Sequence, residues 1–302
     1  MSALYKQPDK GDPSDVLQLF PKFDLQLLCC RKWLLSHWEF SDLSYPYWRI
    51  YHNGRTGACM THDGREITLQ PHKLYMIAPN TSYSTRIGNN EIPKEGYLFE
   101  GKRIQGGGTT DLQHEEGHIP HLFIHFNIGG PYDNISPGIF EFDLTPIRQN
   151  SIQIITSQLV EDFTTFSFHA LLALHSLISD LLSSIPASNW NLKSRDHRIL
   201  KVLGYIEASL NEHLSNRVLA GQASLATNAF NRLFTEEVGV SPQKYVKKKR
   251  IDRACALLHH SDNSIDQVAA DTGFADRYHF SKSFKQVVGL SPARYRKAYG
   301  IK

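Results

Sequence analysis

Cysteine is scarce in this chain: 302 residues hold only Cys29, Cys30, Cys59 and Cys255. Their spacing matches no metal-ligand pattern, and an adjacent pair in a chain this long does not suggest a disulfide framework. Long apolar runs are missing too. No stretch approaches the ~20 residues that span a bilayer, and the N-terminal segment has no signal-peptide layout. These absences predict a reduced, cytoplasmic protein that does not enter a membrane. A Ser/His/Asp set, a P-loop and a dinucleotide fingerprint are also lacking. No catalytic residues, cofactor or metal are therefore expected.

Charge is unevenly distributed. The net charge of +3 conceals a basic end, because residues 195–302 hold 18 Lys and Arg against 10 Asp and Glu. Residues 1–194 hold 15 against 20. A basic C-terminal third beside an acidic remainder fits one nucleic-acid-binding domain and one domain with another task. The length also suits two domains, each with its own core.

Residues 1–15 are polar and read as a loose tail. The stretch Val16–Phe40 is mixed and broken by Pro21, with no firm assignment. From Tyr45 the chain turns to short runs of aromatic and β-branched residues. They are punctuated by Asn53-Gly54, Asp63-Gly64, Pro71 and Pro79-Asn80, which suggests an antiparallel barrel or jelly roll. Residues 88–119, with Gly106-Gly107-Gly108, read as a long loop excursion. Segments 121–128 and 138–144 read as strands. Over 151–185 apolar residues recur three or four apart, as in amphipathic helices. The Pro, Ser and Asn of 183–194 mark a linker. The expected fold class is α+β, with a barrel domain over 1–182, the linker 183–194, and an all-α domain over 195–302.

That last domain contains a repeat. Val218, Ala220, Phe230, Phe234, Val238, Gly239, Ser241, Pro242, Tyr245 and Lys247 recur 50 positions later as Val268, Ala270, Phe280, Phe284, Val288, Gly289, Ser291, Pro292, Tyr295 and Lys297. Roughly two such identities would arise from average usage. Each copy reads as helix, tight turn, then a helix with an apolar inner face and a polar, basic outer face. That is a helix-turn-helix pattern.

The residues Leu219-Ala220, Ala223, Phe230, Arg232, Phe234, GVSPQKY (239–245), Arg250, Ala254 and Leu257-Leu258 carry a family resemblance. So do Val268-Ala269, GFADRYHFSKSFK (273–285), GLSP (289–292) and Tyr295. Over roughly 100 residues the chain resembles the AraC-type transcription regulators. The resemblance implies two helix-turn-helix units joined by a long helix, both recognition helices facing promoter DNA. Two departures stand out: Ser224-Leu225 where the second copy has Phe274-Ala275, and the small Ala229.

On the first recognition helix the outward residues are Asn228, Asn231, Arg232 and Thr235, and Thr227 is counted with them as a DNA-binding residue. On the second they are Arg277, Tyr278, Ser281 and Lys282. Asn can bond adenine, and Arg guanine, through two atoms at once. Lys248 and Arg250, in a basic cluster on the connecting helix, would neutralise phosphates or merely solubilise that face.

The Asp63-Gly64 turn and the runs 69–80 and 121–126 also resemble the cupin-like barrel that many such regulators carry. Its interior would sense a small molecule, a sugar being one candidate. His121, Phe123 and His125 alternate on one strand face, and Trp48, Tyr51 and Tyr83 would add stacking surface. Structural hydrogen bonds and ordinary core are open alternatives for these residues. A metal-dependent cupin enzyme fused to a DNA-binding tail is the competing function, although the usual pair of ligand histidines with a downstream Glu is absent. The resemblance further implies contact with RNA polymerase; the 151–185 helices would pack on the barrel, either as plain core or as a surface that pairs two subunits, and activator and repressor action are both open.

Overall fold

A computed structural model of the protein describes residues 24–93, 97–104, 117–129, 132–133, 135–162, 164–190 and 196–299. The tail at 1–15, Gly106-Gly107-Gly108, His114 and the linker residues 191–194 lie outside these ranges.

Among the described residues, nine strands form one curled antiparallel sheet: β1 (Gln26–Leu43), β2 (Trp48–Asn53), β3 (Ala58–His62), β4 (Arg65–Thr68), β5 (Lys73–Ile77), β6 (Tyr83–Ile87), β7 (Tyr97–Arg103), β8 (Ile119–Asn127) and β9 (Ile139–Asp143). Their order is β4-β3-β6-β1-β8-β2-β5-β9, with β7 also paired to β1. The two end strands approach each other, since Glu141 on β9 accepts from Arg65 on β4 at 3.1 Å and from Lys73 on β5 at 3.0 Å. The β3–β4 hairpin turns at Asp63-Gly64, both with positive φ, as a two-residue hairpin of this hand requires.

Two strands depart from the sequence expectation. The first is β1, an 18-residue strand running through the unassigned stretch. Bulges between Leu27 and Cys29 and between Leu35 and His37 shift its register, and residues on both its faces are covered. Both effects erase the period-two alternation by which a strand is recognised. The second is β7, which lies inside the expected loop excursion and pairs with β1 from Trp33↔Arg103 to Phe40↔Tyr97.

The sheet has two covered faces. On one, Trp48, Ile50, Ile124 and Phe126 pack beneath α1 (Pro146–Glu161) and α2 (Phe168–Ser183). Thr145 and Ser167 cap these helices, accepting from the backbone N–H of Arg148 and Ala170. The other face turns inward with Tyr47, Tyr51, Tyr83 and Phe123. Part of the expected linker is packed: Trp190 bridges to Ile135, and its ring lies 5.8 Å from that of Trp48.

The C-terminal domain comprises α3 (His197–Ala208), α4 (Asn216–Gln222), α5 (Thr227–Val238), α6 (Pro242–His260), α7 (Ile265–Asp271), α8 (Arg277–Val288) and α9 (Pro292–Tyr299). The pairs α4–α5 and α7–α8 are the two helix-turn-helix units, and α6 joins them. Phe230, Phe234, Phe280 and Phe284 are fully buried. Gly239 and Gly289 end α5 and α8 in the left-handed region, and Pro242 opens α6.

The repeat is real, but its alignment needs a correction. Ser215 and Ser264, the caps of α4 and α7, are 49 apart, as are the buried pairs Leu219/Val268 and Ala220/Ala269. Only from α5 and α8 onward does the offset become 50. Val218/Val268 and Ala220/Ala270 are therefore coincidental identities. The first unit has one residue fewer in its turn, and Ser224-Leu225 stands opposite Gly273-Phe274. That removes the first apparent departure. Ser224 and Gly273 are both left-handed, and the next N–H in each unit bonds back to Ala220 or Ala269 at 3.0 Å.

Candidate nucleic-acid interface and barrel interior

The buried phenylalanine pairs fix which side of each recognition helix faces out. On α5, Asn228, Arg232 and Thr235 are exposed, Thr227 and Asn231 partly so, and Ala229 is exposed and small. The Asn231 Oδ1 is buried without a hydrogen-bond partner. On α8, Arg277, Tyr278 and Lys282 are exposed and Ser281 partly so. Tyr278 is 86% exposed, a large aromatic ring left in solvent on a helix otherwise anchored by aromatics. Asp276 caps α8 by accepting from the His279 N–H at 2.7 Å. Arg277 reaches back to Asp266 on α7 at 3.2 Å, tying the two helices of the second unit.

The connecting helix departs from expectation at Arg250. Its guanidinium donates to the carbonyls of Leu210 at 2.9 Å and Glu212 at 2.6 Å, and lies 6.0 Å from the Phe274 ring. Arg250 thus clamps the loop before α4 to the turn of the second unit, and its donors point inward rather than toward phosphate. Lys248 is half-exposed and pairs with Asp252 one turn on, at 3.0 Å, which leaves it within reach of solvent anions. Neighbouring Lys249 is mostly buried, pairing with Glu207 at 2.9 Å and lying 4.0 Å from Asp133 of the barrel.

Inside the barrel, the sequence-predicted residues separate by strand parity. Tyr51, Tyr83, His121, Phe123 and His125 share the inward face, whereas Trp48 does not. Side chains two apart on a strand share a face and those three apart do not. Trp48 accordingly faces the helices, stacks with Phe126 and donates to Asp133 at 3.0 Å. The inward residue beside it is Arg49, which sequence reasoning missed. It is fully buried, lies 4.5 Å from the Tyr45 ring and 4.7 Å from the Tyr83 ring, and donates to the Tyr83 hydroxyl. Its Nε and Nη2 have no hydrogen-bond partner. A guanidinium in an aromatic strand of the form YPYWRIY was the available signal, because buried charges need partners.

His121 donates from Nδ1 to Asn53 Oδ1 at 2.7 Å, and burial holds its pKa down to about 3, with His52 adding to the effect. The ring is therefore neutral near pH 7.

The two domains meet where the last turn of α6 packs against the inward sheet face. The His259 ring is 5.2 Å from Tyr45, and the His260 ring is 5.5 Å from Tyr47 and 5.1 Å from His125. At the other end of the contact Tyr97 of β7 donates to the Lys297 carbonyl of α9 at 3.1 Å. No described helix is long and apolar enough to cross a membrane.

Residues 219–298 match a family model described as a helix-turn-helix domain. The HTH-type transcriptional activator RhaS of Escherichia fergusonii is 27% identical over 158 residues, 52% of this chain and 56% of RhaS. The raffinose operon transcriptional regulatory protein RafR of Pediococcus pentosaceus is 31% identical over 129 residues, 42% of this chain and 47% of RafR. The probable transcriptional regulator LumQ of Photobacterium leiognathi is 37% identical over 92 residues, 30% of this chain and 37% of LumQ. The chain thus spans about half the length, or less, of these relatives. Among solved structures, the DNA-binding domain of AdpA in complex with a target DNA is 31% identical, covering 34% of this chain and 94% of that one, with a TM-score of 0.34. Unsaturated fatty acid-bound ToxT from Vibrio cholerae is 12% identical, covering 95% of this chain and all of ToxT, with a TM-score of 0.48. Residues 219–298 of this chain thus carry a helix-turn-helix domain, and the relatives that the chain resembles in sequence are transcription regulators.

Proposed function

We propose that the chain is a sequence-specific regulator of transcription whose barrel holds a small effector and whose α5 and α8 read promoter DNA. The carrying observation is the match between the two recognition helices. Asn231 and Arg232 stand at the same positions as Ser281 and Lys282, opposite phenylalanines that are fully buried in both units. On that reading α5 and α8 enter successive major grooves, about 34 Å apart. Asn228, Asn231, Arg232, Tyr278, Ser281 and Lys282 meet base edges, Thr227, Arg277 and Lys248 meet the backbone, and Arg250 supports the fold.

The effector's place is the inward face around Arg49, Tyr51, Tyr83 and His121. Two orphaned guanidinium donors there favour an effector with a carboxylate or other oxygen-rich group. The docking of α6 against the same face gives the effector a route to the DNA-binding domain, since it would bind the docked and undocked arrangements unequally. Exposed Ile147, Phe168 and Leu172 on α1 and α2 suit pairing of two copies. RNA polymerase contact and a cytoplasmic location follow from the regulator reading.

The test is selection of binding sites from a random duplex pool, followed by titration of Arg232→Ala on the selected site. The expected loss is ~1–3 kcal/mol, with relaxed preference at one base pair. Equal loss on every duplex would reassign Arg232 to phosphate, and absence of any selected site would end the reading.

A further inference from the structure

Cys29, His125 and His260 are distant in sequence and meet at the contact between the domains. Their ligand atoms all lie within 4.8 Å of one another. Cys29 and His125 are register partners on β1 and β8, directly beyond the bulge that follows Leu27. His260 arrives from the last turn of α6. Its Nε2 is 3.3 Å from the His125 Nδ1.

That separation is informative. Two imidazole nitrogens bound to one tetrahedral zinc ion at about 2.0–2.1 Å stand about 3.3–3.4 Å apart; a thiolate bound at about 2.3 Å stands about 3.5–3.6 Å from each nitrogen, so the Cys29 sulfur, within 4.8 Å of both, has to close in by about 1 Å at most. A hydrogen bond between two neutral rings would account for one contact, but not for the thiol beside them. A further imidazole adjoins. The His259 ring is 4.4 Å from that of His260 and 5.8 Å from that of His125. His259 is 7% exposed, and its Nδ1 is buried with no hydrogen-bond partner.

We infer that Cys29, His125 and His260 form a binding site for a zinc-type divalent ion that fastens α6 of the DNA-binding domain to the barrel. The fourth position falls to His259 after a turn of its side chain, or to a water. Binding replaces the Cys29 S–H proton, which leaves for solvent, with a sulfur–metal bond; both imidazoles bind as neutral donors. Burial pushes the metal-free Cys29 thiol up to about 12, so one proton is released for each ion taken up near pH 7. Because two ligands belong to the barrel and one to α6, the ion binds only the docked arrangement and draws the population toward it. The site is independent of what the barrel's effector or the promoter sequence is.

The test uses the full chain, stripped by a chelator under reducing conditions and titrated with Zn2+ against a chromophoric competitor. One ion per chain is expected, with affinity weakened by at least about tenfold in Cys29→Ser and His260→Gln, since even changes behind a ligand cost that much. Cys59→Ser serves as the control that retains binding. Two readouts need no variant. Co2+ should give thiolate-to-metal charge-transfer absorption, and Zn2+ should protect Cys29 but not Cys59 from alkylation, read by mass spectrometry. Zn2+ should also raise the melting temperature of the wild type and not of His260→Gln. No stoichiometric Zn2+ uptake by the wild type, a cobalt spectrum without the thiolate band, or unprotected Cys29 at saturating Zn2+ would each overturn the site.

Discussion

The two helix-turn-helix units bury the same aromatic pair yet make their turns by different means. The second unit uses Gly273 at φ 75° and caps α8 with Asp276. The first places Ser224 at φ 54° and puts Ala226 at the N-cap of α5, where it offers no side-chain cap. A left-handed L-residue costs roughly 1–2 kcal/mol, and a missing N-cap costs roughly 1 kcal/mol. The first unit's turn is therefore the weaker by construction, and the second is locked from outside as well. A Cβ on Gly273 would stand 2.3 Å from the Leu210 carbonyl oxygen and 2.8 Å from the Arg250 guanidinium. The glycine is where Arg250 joins the two units.

Gly273→Ala should be the largest perturbation. The left-handed backbone and the clash with main chain together should lower stability by about 3 kcal/mol, read as a fall in the urea midpoint. A loss under about 1 kcal/mol would mean that the clamp is loose. Next come the caps. Asp276→Ala should cost about 1 kcal/mol, while Ala226→Ser should gain about 0.5–1 kcal/mol, both by thermal melting. If both substitutions move stability the same way, capping does not distinguish the units. The smallest effect is expected at Ser224, where glycine relieves the backbone but loosens the unfolded chain. Ser224→Gly should stabilise by about 0.5 kcal/mol, resolved by hydrogen exchange in α4 and α5.

What the sequence made legible follows the same division. Phe230, Phe234, Phe280 and Phe284 announce the helical units, because a four-residue spacing of large apolar side chains has few other readings. The one-residue difference between the turns was invisible, since identity at Val218/Val268 mimicked a gapless repeat. In the barrel, turn residues such as Asp63-Gly64 were readable, but β1 was not, its alternation broken by bulges along its length. Arg250 looked like any member of a lysine- and arginine-rich run; only its donors' direction separates a clamp from a phosphate contact. Nor could spacing reveal Cys29 beside His260, because that meeting depends on how one domain lies on the other.

Helix α6 carries three attachments. Its early turns belong to the first unit's core through Val246, its later ones to the second through Ile251 and Leu258, and its end reaches the barrel at His260. Nineteen residues make a rod about 28 Å long, and the phase between these three attachments is set by residue count alone. One alanine inserted midway would swing His260 by about 100° around the axis. A deletion would swing it equally far the other way, so the helix acts as a ruler that tolerates exchange of its letters far better than a change in their number.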